Sequence, residues 1–307
     1  MCGVGLTDKL NCNPWGTCFL MGARHKIFER LEYLRWATVH SVGADTSCPA
    51  CKAVDSRLVR RKYLVTSLRE CPRCGLRFRI PKDDPRRLED FYREEVYQQG
   101  FTTDLPSDEE LKALLSSRFA GTEKDFSSRI DVLVAAGLPK GARILDFGSS
   151  WGYGSWQMRE AGFEVFSYEL GRARAQYAET KLGCTMVSDL RKLDGTIDCF
   201  FSSHVIEHLP NPNVMFEEAA RLRRPGGMFV SFCPNGAEQR QRRDPAAYHA
   251  NWNKVHPLML TPAFMLKAAE AHGFEQRAAF STPVSAEEIR AMKGNGLDGD
   301  DLLLIAR

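Results

Sequence analysis

The sequence predicts an α/β protein, a doubly wound and mostly parallel sheet preceded by a small cysteine-built module. Three observations carry this expectation. In Arg143-Ile-Leu-Asp-Phe-Gly-Ser-Ser-Trp-Gly-Tyr-Gly154 an apolar run stops at Asp146, and Gly148, Gly152 and Gly154 follow. A buried parallel strand hands over to a helix in this way across a ligand site, because glycines let the backbone approach a nucleotide-like molecule. From residue 142 onward, strand-like and helix-like segments alternate with short links, as a parallel sheet requires. Upstream, Cys48-Pro-Ala-Cys51 and Cys71-Pro-Arg-Cys74 form C-x2-C-x19-C-x2-C, a spacing suited to two metal-binding knuckles.

The 307 residues allow one large domain plus a small one, and 43% hydrophobic content supports a sizeable core. A formal net charge of +3 is close to neutral, so charge alone points to neither nucleic acid nor membrane. No apolar run reaches membrane-spanning length, and residues 1–8 carry no secretory pattern. The ten cysteines split into a quartet and scattered singles, which favours a reducing, cytoplasmic compartment over a disulfide framework.

Residues 1–46 read as a leader of uncertain structure, with Met21 an alternative start and Cys2, Cys12 and Cys18 off any metal-ligand spacing. Residues 24–36 suit a basic amphipathic helix, better read as a docked surface helix than as a membrane anchor. Residues 47–80 form the cysteine module. Cys48, Cys51, Cys71 and Cys74 are expected to hold a structural Zn²⁺; four sulfurs would leave no open position for catalysis. Arg57, Arg60, Arg61 and Lys62 read as a solvated strand face, with RNA or a glycan phosphate as the other use.

Residues 81–121 read as a helical connector, with a short helix over 86–97 and a Ser107-capped helix over 108–119. The last domain spans 122–307 and opens with a Thr122-capped helix over 123–136. Strands fit 143–147, 164–168, 184–187, 197–202 and 227–232; helices fit 153–161, 171–182 and 212–223. Residues 237–253 form a polar, basic insertion that reads as a lid. Thr261-Pro262 starts a helix that Gly273 ends, and strands over 276–281 and 301–306 close the chain.

A dinucleotide turn counted from Gly148 would need glycine at 150, where this chain has Ser150. Glu169 ends the second strand, where an acid can accept hydrogen bonds from both ribose hydroxyls. Asp146-x-Gly148-x3-Gly152-x-Gly154 resembles the first motif of class I S-adenosylmethionine-dependent methyltransferases, with Ser150 in place of the middle glycine. Ser188-Asp189-Leu190, His204-Val-Ile-Glu-His-Leu209 and Pro225-Gly-Gly227 resemble the family's later segments in order and spacing. The resemblance implies a seven-stranded Rossmann-like sheet of order 3-2-1-4-5-7-6 with strand 7 antiparallel. It implies S-adenosylmethionine as cofactor, with Asp146, Gly148, Gly152, Glu169, Asp189, Leu190, Ser203 and His204 around it; Asp189 would take the adenine amino group and Leu190 would pack on the ring. The ribbon followed by Phe91-Tyr92 and this core resembles bacterial methyltransferases of glycan and secondary-metabolite pathways, so a small-molecule or glycan acceptor is expected.

A hydroxyl acceptor must lose a proton, and histidine suits that near neutral pH. The candidates are His204, His208 and His256, with His249 in the insertion. If 204–208 is a helical turn, His204 and His208 share a face beside Glu207. His208 also fits a structural histidine bonded to backbone, and His256 a surface one. Small-RNA 3′-end 2′-O-methyltransferases carry Glu-x-x-Glu-His and a later histidine on Mg²⁺; His204-x-x-Glu207-His208 and His256 resemble that block with a softer first ligand. Metal-assisted RNA methylation, a non-catalytic module and a nicotinamide oxidoreductase are the alternatives.

Overall fold

A computed structural model describes residues 31, 33–84 and 104–307. The expected helix over 86–97, Cys2, Cys12, Cys18 and most of the helix expected over 24–36 lie outside the described residues. A helix (α1) does cover 33–41, with Ala37 fully buried.

Seven strands form the main sheet in the order β10-β11-β8-β7-β4-β5-β6. β4 (Arg143–Phe147) lies inside the sheet and pairs in parallel with β5 (Glu164–Tyr168) and β7 (Ile197–Ser203). β6 (Thr185–Met186) continues one side, and β8 (Arg223–Pro234) the other. β11 (Asp301–Ala306) runs antiparallel to β8 and carries β10 (Arg277–Ser281) at the edge. This mixed sheet has the expected order, with the last strand in the chain inserted antiparallel.

The two-residue period of the strands builds both cores. Leu145, Phe147, Phe200 and Phe229 face one side and meet Phe216 and Met265. Ile144, Phe201, Val230 and Ile305 face the other and meet Leu133 and Met158. The helices are α2 (Asp108–Ser116), α3 (Ser127–Ala135), α4 (Tyr153–Glu160), α5 (Arg172–Leu182) and α6 (Asn213–Leu222). Ser107 caps α2 through a full capping box with Glu110. Thr122 does not cap α3: its hydroxyl accepts from Lys124 N–H in a local turn, and the helix begins five residues later. Downstream lie α7 (Glu238–Arg243), α8 (Pro245–Asn251), α9 (Pro262–Ala271) and α10 (Ala286–Ala291). Thr261 caps α9, accepting from Phe264 N–H at 3.1 Å.

The cysteine module is less separate than its spacing suggests. β1 (Arg57–Lys62), β2 (Thr66–Glu70) and β3 (Arg77–Ile80) form a meander, and β9 (Leu258–Met259) adds a fourth strand from far downstream. Cys48, Leu76 and Phe78 share a continuous core with Leu260 and Phe264. The insertion over 237–253, expected as a lid, is anchored to the ribbon. Tyr248 and Trp252 are fully buried with Leu68 and Met259, and Arg77 donates to Tyr248 Oη at 2.8 Å. Two apolar rings anchor it against the ribbon, a role its polar composition hides. Lys62 likewise leaves the expected solvated face; it is 9% exposed and donates to Trp252 O.

A donor crevice and a buried carboxylate–imidazole cluster

A glycine-rich turn lies at the carboxyl tip of β4, beside those of β5 and β7. Gly148, Ser150 and Gly152 all take left-handed backbone, with φ of 83°, 52° and 85°. Ser150 therefore keeps the conformation that a glycine would take, and its departure changes a side chain rather than the turn. Gly148 and Ser149 N–H both donate to Tyr168 O, tying the turn to β5. A Cβ on Gly148 would stand 2.4 Å from Val205 Cγ2, so the turn is in direct contact with the segment after β7.

Glu169 lies under this turn. Its Oε2 accepts from Ser150 N–H at 3.0 Å, and its Oε1 from Gly171 N–H at 2.8 Å and Arg174 Nη2 at 3.0 Å. The Glu169 and Arg174 side chains are 9% and 7% exposed, a nearly buried ion pair. Arg174 had no sequence signal; it is one of several basic residues on α5. Asp189 is bound in both oxygens by Arg191 and caps the one-turn helix Leu190–Leu193, while Leu190 packs half-buried against the core.

Asp146 lies beneath the glycine turn, 3% exposed, accepting from the Ser155 hydroxyl at 2.6 Å, which itself accepts from Ser167. Burial, with Glu169 nearby adding to it, pushes its carboxyl up to about 7, and Ser155 only partly opposes this. The unfolded chain releases this proton near pH 4, whereas the folded chain keeps it to about 7. Stability is therefore lost as pH rises through that window and levels off above it. Asp146→Asn retains an acceptor for Ser155 and removes the titration. Its melting temperature relative to wild type is expected to rise steadily between pH 4 and 7; a gap independent of pH would contradict this.

Beyond β7, the chain makes a single tight turn, Ile206–His208, instead of the helical face expected over 204–208. His204 is itself left-handed, with φ 56°, and donates its N–H to Phe232 O. Its Nδ1 faces Glu207 Oε1 at 3.4 Å and its Nε2 faces Asp301 Oδ1 at 3.6 Å. Burial disfavours its charge, but Asp301 and then Glu207 outweigh that and raise the imidazole to about 10. With an acid facing each ring nitrogen and its charge favoured, His204 is a poor acceptor for a substrate proton near neutral pH. Asp301 was missed in the sequence, although the acidic run Asp298-Gly-Asp-Asp301 was visible before the last strand. Ser203 Oγ accepts from Arg129 Nε, and Arg129 also reaches Asp301 at 3.8 Å.

Glu207 is 0% exposed and neither of its oxygens has a hydrogen-bond donor; the His204 contact lacks the geometry of one. Burial opposes its charge, yet His204 and the neighbouring histidines hold it below the usual carboxylate range. His208 Nδ1 pairs with Val255 O at 2.7 Å, and His256 Nδ1 with Asn251 O at 3.0 Å. One ligand atom from each of Glu207, His208 and His256 lies within 4.8 Å of the others. A cavity of about 290 Å³ lies between the ribbon and the segment after β7, with Lys52, Phe78, Arg79, Lys82, Leu209 and Pro257 in its wall; Glu207, His208 and His256 do not line it. His249 is not in this group; it stacks edge-on to Trp252 at 5.3 Å.

The four cysteine sulfurs also converge within 4.8 Å of one another. Cys48 and Cys74 Sγ are 3.5 Å apart, Cys51 and Cys71 Sγ 3.4 Å, and none is in a disulfide. A tetrahedral ion with bonds of ~2.3 Å to sulfur would want edges of about 3.8 Å, so the quartet suits one. Lys52 and Gly75, each following the second cysteine of its knuckle, are both left-handed.

The profile of the methyltransferase-domain family matches residues 119–279, just over half of the chain. The chain belongs to the methyltransferase-domain family. A curated protein of Mycolicibacterium smegmatis, "Probable S-adenosylmethionine-dependent methyltransferase", is 27% identical over 140 residues, 44% of this chain. This chain spans about half the length of that relative (52%). Similar solved structures include an S-adenosylmethionine-dependent methyltransferase from Mesorhizobium loti, with 22% identity, 60% of this chain and 99% of that one covered, and a TM-score of 0.46. Another is a TehB-like methyltransferase from Corynebacterium glutamicum, with 18% identity, 64% and 94% covered, and a TM-score of 0.44. A methyltransferase domain speaks against the nicotinamide reading. No helix among the described residues is long and apolar enough to cross a membrane.

Proposed function

We propose that this methyltransferase moves a methyl group from S-adenosylmethionine to a hydroxyl of a small molecule or glycan. The observation that carries this reading is the convergence of Glu207, His208 and His256 within 4.8 Å of one another just beyond β7, a group able to handle an acceptor's proton. The donor brings a methyl already activated by its sulfonium charge, so the protein's work is to position the acceptor oxygen and handle its proton. Glu169 is assigned to the ribose hydroxyls, with Arg174 as the counter-ion that keeps the carboxylate in place. The turn over 148–152 receives the amino-acid end, and Leu190 offers an apolar seat for the adenine ring. Asp189 is left with the Arg191 pair, and Asp146 with bracing the turn from below. The Glu207–His208–His256 cluster is assigned to the acceptor proton, and His204 to holding the loop through its two acids. Zn²⁺ is assigned to the cysteine quartet, as a structural ion.

RNA as acceptor is less favoured, because Lys62 of the basic strand is turned inward. The test is tritiated-methyl transfer into a fractionated host extract, followed by nuclease and glycosidase digestion. Label is expected to survive ribonuclease and to appear in small-molecule or glycan fractions. Label lost to ribonuclease would move the assignment to RNA, and calorimetry showing no uptake of the donor would remove it altogether.

A further inference from the structure

We propose that Glu207, His208 and His256 bind a divalent first-row transition cation at the acceptor end of the crevice. The site deepens the methyl-transfer reading and rests on it for its role, though not for its existence.

Glu207 is the starting point. An ionised carboxylate offers about four acceptor positions, and burying one without donors is costly. Glu207 is completely buried and has no hydrogen-bond donor on either oxygen. The ion pair with His204 Nδ1, at 3.4 Å, accounts for one side of one oxygen only. His204 is in any case held from its other face by Asp301. The rest of the Glu207 carboxylate is turned toward two imidazoles, with His208 Nε2 at 3.9 Å. That distance is too long for a hydrogen bond and is suited to two ligands of a shared ion.

The histidines are arranged as ligands are. Each gives its Nδ1 to a backbone carbonyl, His208 to Val255 and His256 to Asn251. A carbonyl partner on one ring nitrogen fixes the tautomer and places the lone pair on the other, as is usual around protein-bound metals. The two rings are 4.8 Å apart and tilted by 57°, so they converge without stacking. Asn251 ends α8 and Val255 follows it before β9, and Arg79 of the ribbon donates to Asn253 O between them. The ribbon thereby sets where His256 stands.

Two imidazoles and one carboxylate suit Mn²⁺, Fe²⁺, Co²⁺ or Zn²⁺ better than Mg²⁺, which prefers oxygen. Three protein ligands leave at least one position for water or an acceptor oxygen, unlike the closed cysteine quartet. An acceptor hydroxyl bound there would be more acidic, which is the one chemical demand that the sulfonium donor does not meet by itself.

The test uses the full chain with the cysteine quartet already filled by Zn²⁺. Co²⁺ is added and followed by equilibrium dialysis and visible absorption. One further equivalent is expected, with ligand-field bands and no thiolate-to-cobalt charge-transfer band, since no cysteine is in the donor set. Glu207→Gln and His256→Gln should each weaken that uptake by about 100-fold. His249→Gln, in the same insertion but outside the cluster, should bind as wild type does. Calorimetry with S-adenosylmethionine on the same variants should give the wild-type affinity, which shows that they are folded; where Glu207→Gln does not fold, His256→Gln decides. No further equivalent, a thiolate charge-transfer band, or equal uptake by wild type and His256→Gln would overturn the site. Cobalt uptake by a wild-type protein that takes no S-adenosylmethionine would keep the site and sink the methyl-transfer reading.

Discussion

Glu169→Gln is expected to weaken S-adenosylmethionine binding by about 100-fold and to lower the melting temperature at the same time. The two effects have different causes. A hydrogen bond to a charged group contributes ~1.5–3 kcal/mol, and the ribose hydroxyls would lose such an acceptor. The stability loss comes from Arg174, whose guanidinium is 7% exposed and would be left without its counter-ion. Breaking a buried pair on one side costs about 3–5 kcal/mol. The Ser150 and Gly171 N–H groups would keep only a weaker acceptor, so the left-handed turn would also loosen. The double variant Glu169→Gln/Arg174→Met separates the causes. It should recover most of the melting temperature, because the unpaired charge is gone, and none of the donor affinity. Calorimetry and thermal unfolding on the three proteins check this. Donor binding at wild-type strength in Glu169→Gln would mean that the crevice grips its ligand elsewhere.

Replacing Cys71 with Ser is expected to be the most damaging substitution outside the crevice. Loss of a structural ion belongs with the few changes that cost more than about 4 kcal/mol. Here the loss would not stay in the ribbon. Cys71 and Phe78 belong to the same buried cluster as Leu258 and Leu260. Phe78 pairs with Leu258, and Arg79 N–H donates to Pro257 O, next to His256. A collapsed ribbon would therefore displace His256 and the cavity wall together. Cys71→Ser should contain one zinc fewer per chain by elemental analysis and unfold at markedly lower temperature. It should lose methyl transfer far more than donor binding, since Glu169 and the glycine turn are held by β4 and β5 rather than by the ribbon. Equal loss of both would indicate general unfolding, and unchanged metal content would remove the zinc assignment.

Much of the architecture was legible because its signals are local. A two-residue apolar period, glycines at 148, 152, 162 and 183, and the Thr261-Pro262 start mark elements without reference to anything distant. The start of α3 was misread because Thr122 offered cap chemistry that the backbone used in a turn instead. The anchoring of the insertion was not legible because its polar and basic residues outnumber the two rings, Tyr248 and Trp252, that decide where it sits. At the site, the quartet of cysteines and the residue types of the crevice were visible, but their partners were not.

By itself, the sequence determined the order of strands and helices, the left-handed turn that makes room for a ligand, and the knuckle spacing. Those follow from backbone sterics and side-chain periodicity within a few residues. Only the tertiary structure decided that Arg174 occupies Glu169, that Asp301 faces His204, that Asp146 supports from beneath, and that β9 completes the ribbon's sheet. Charge partners and desolvation depend on which distant segments meet, and no local pattern records that.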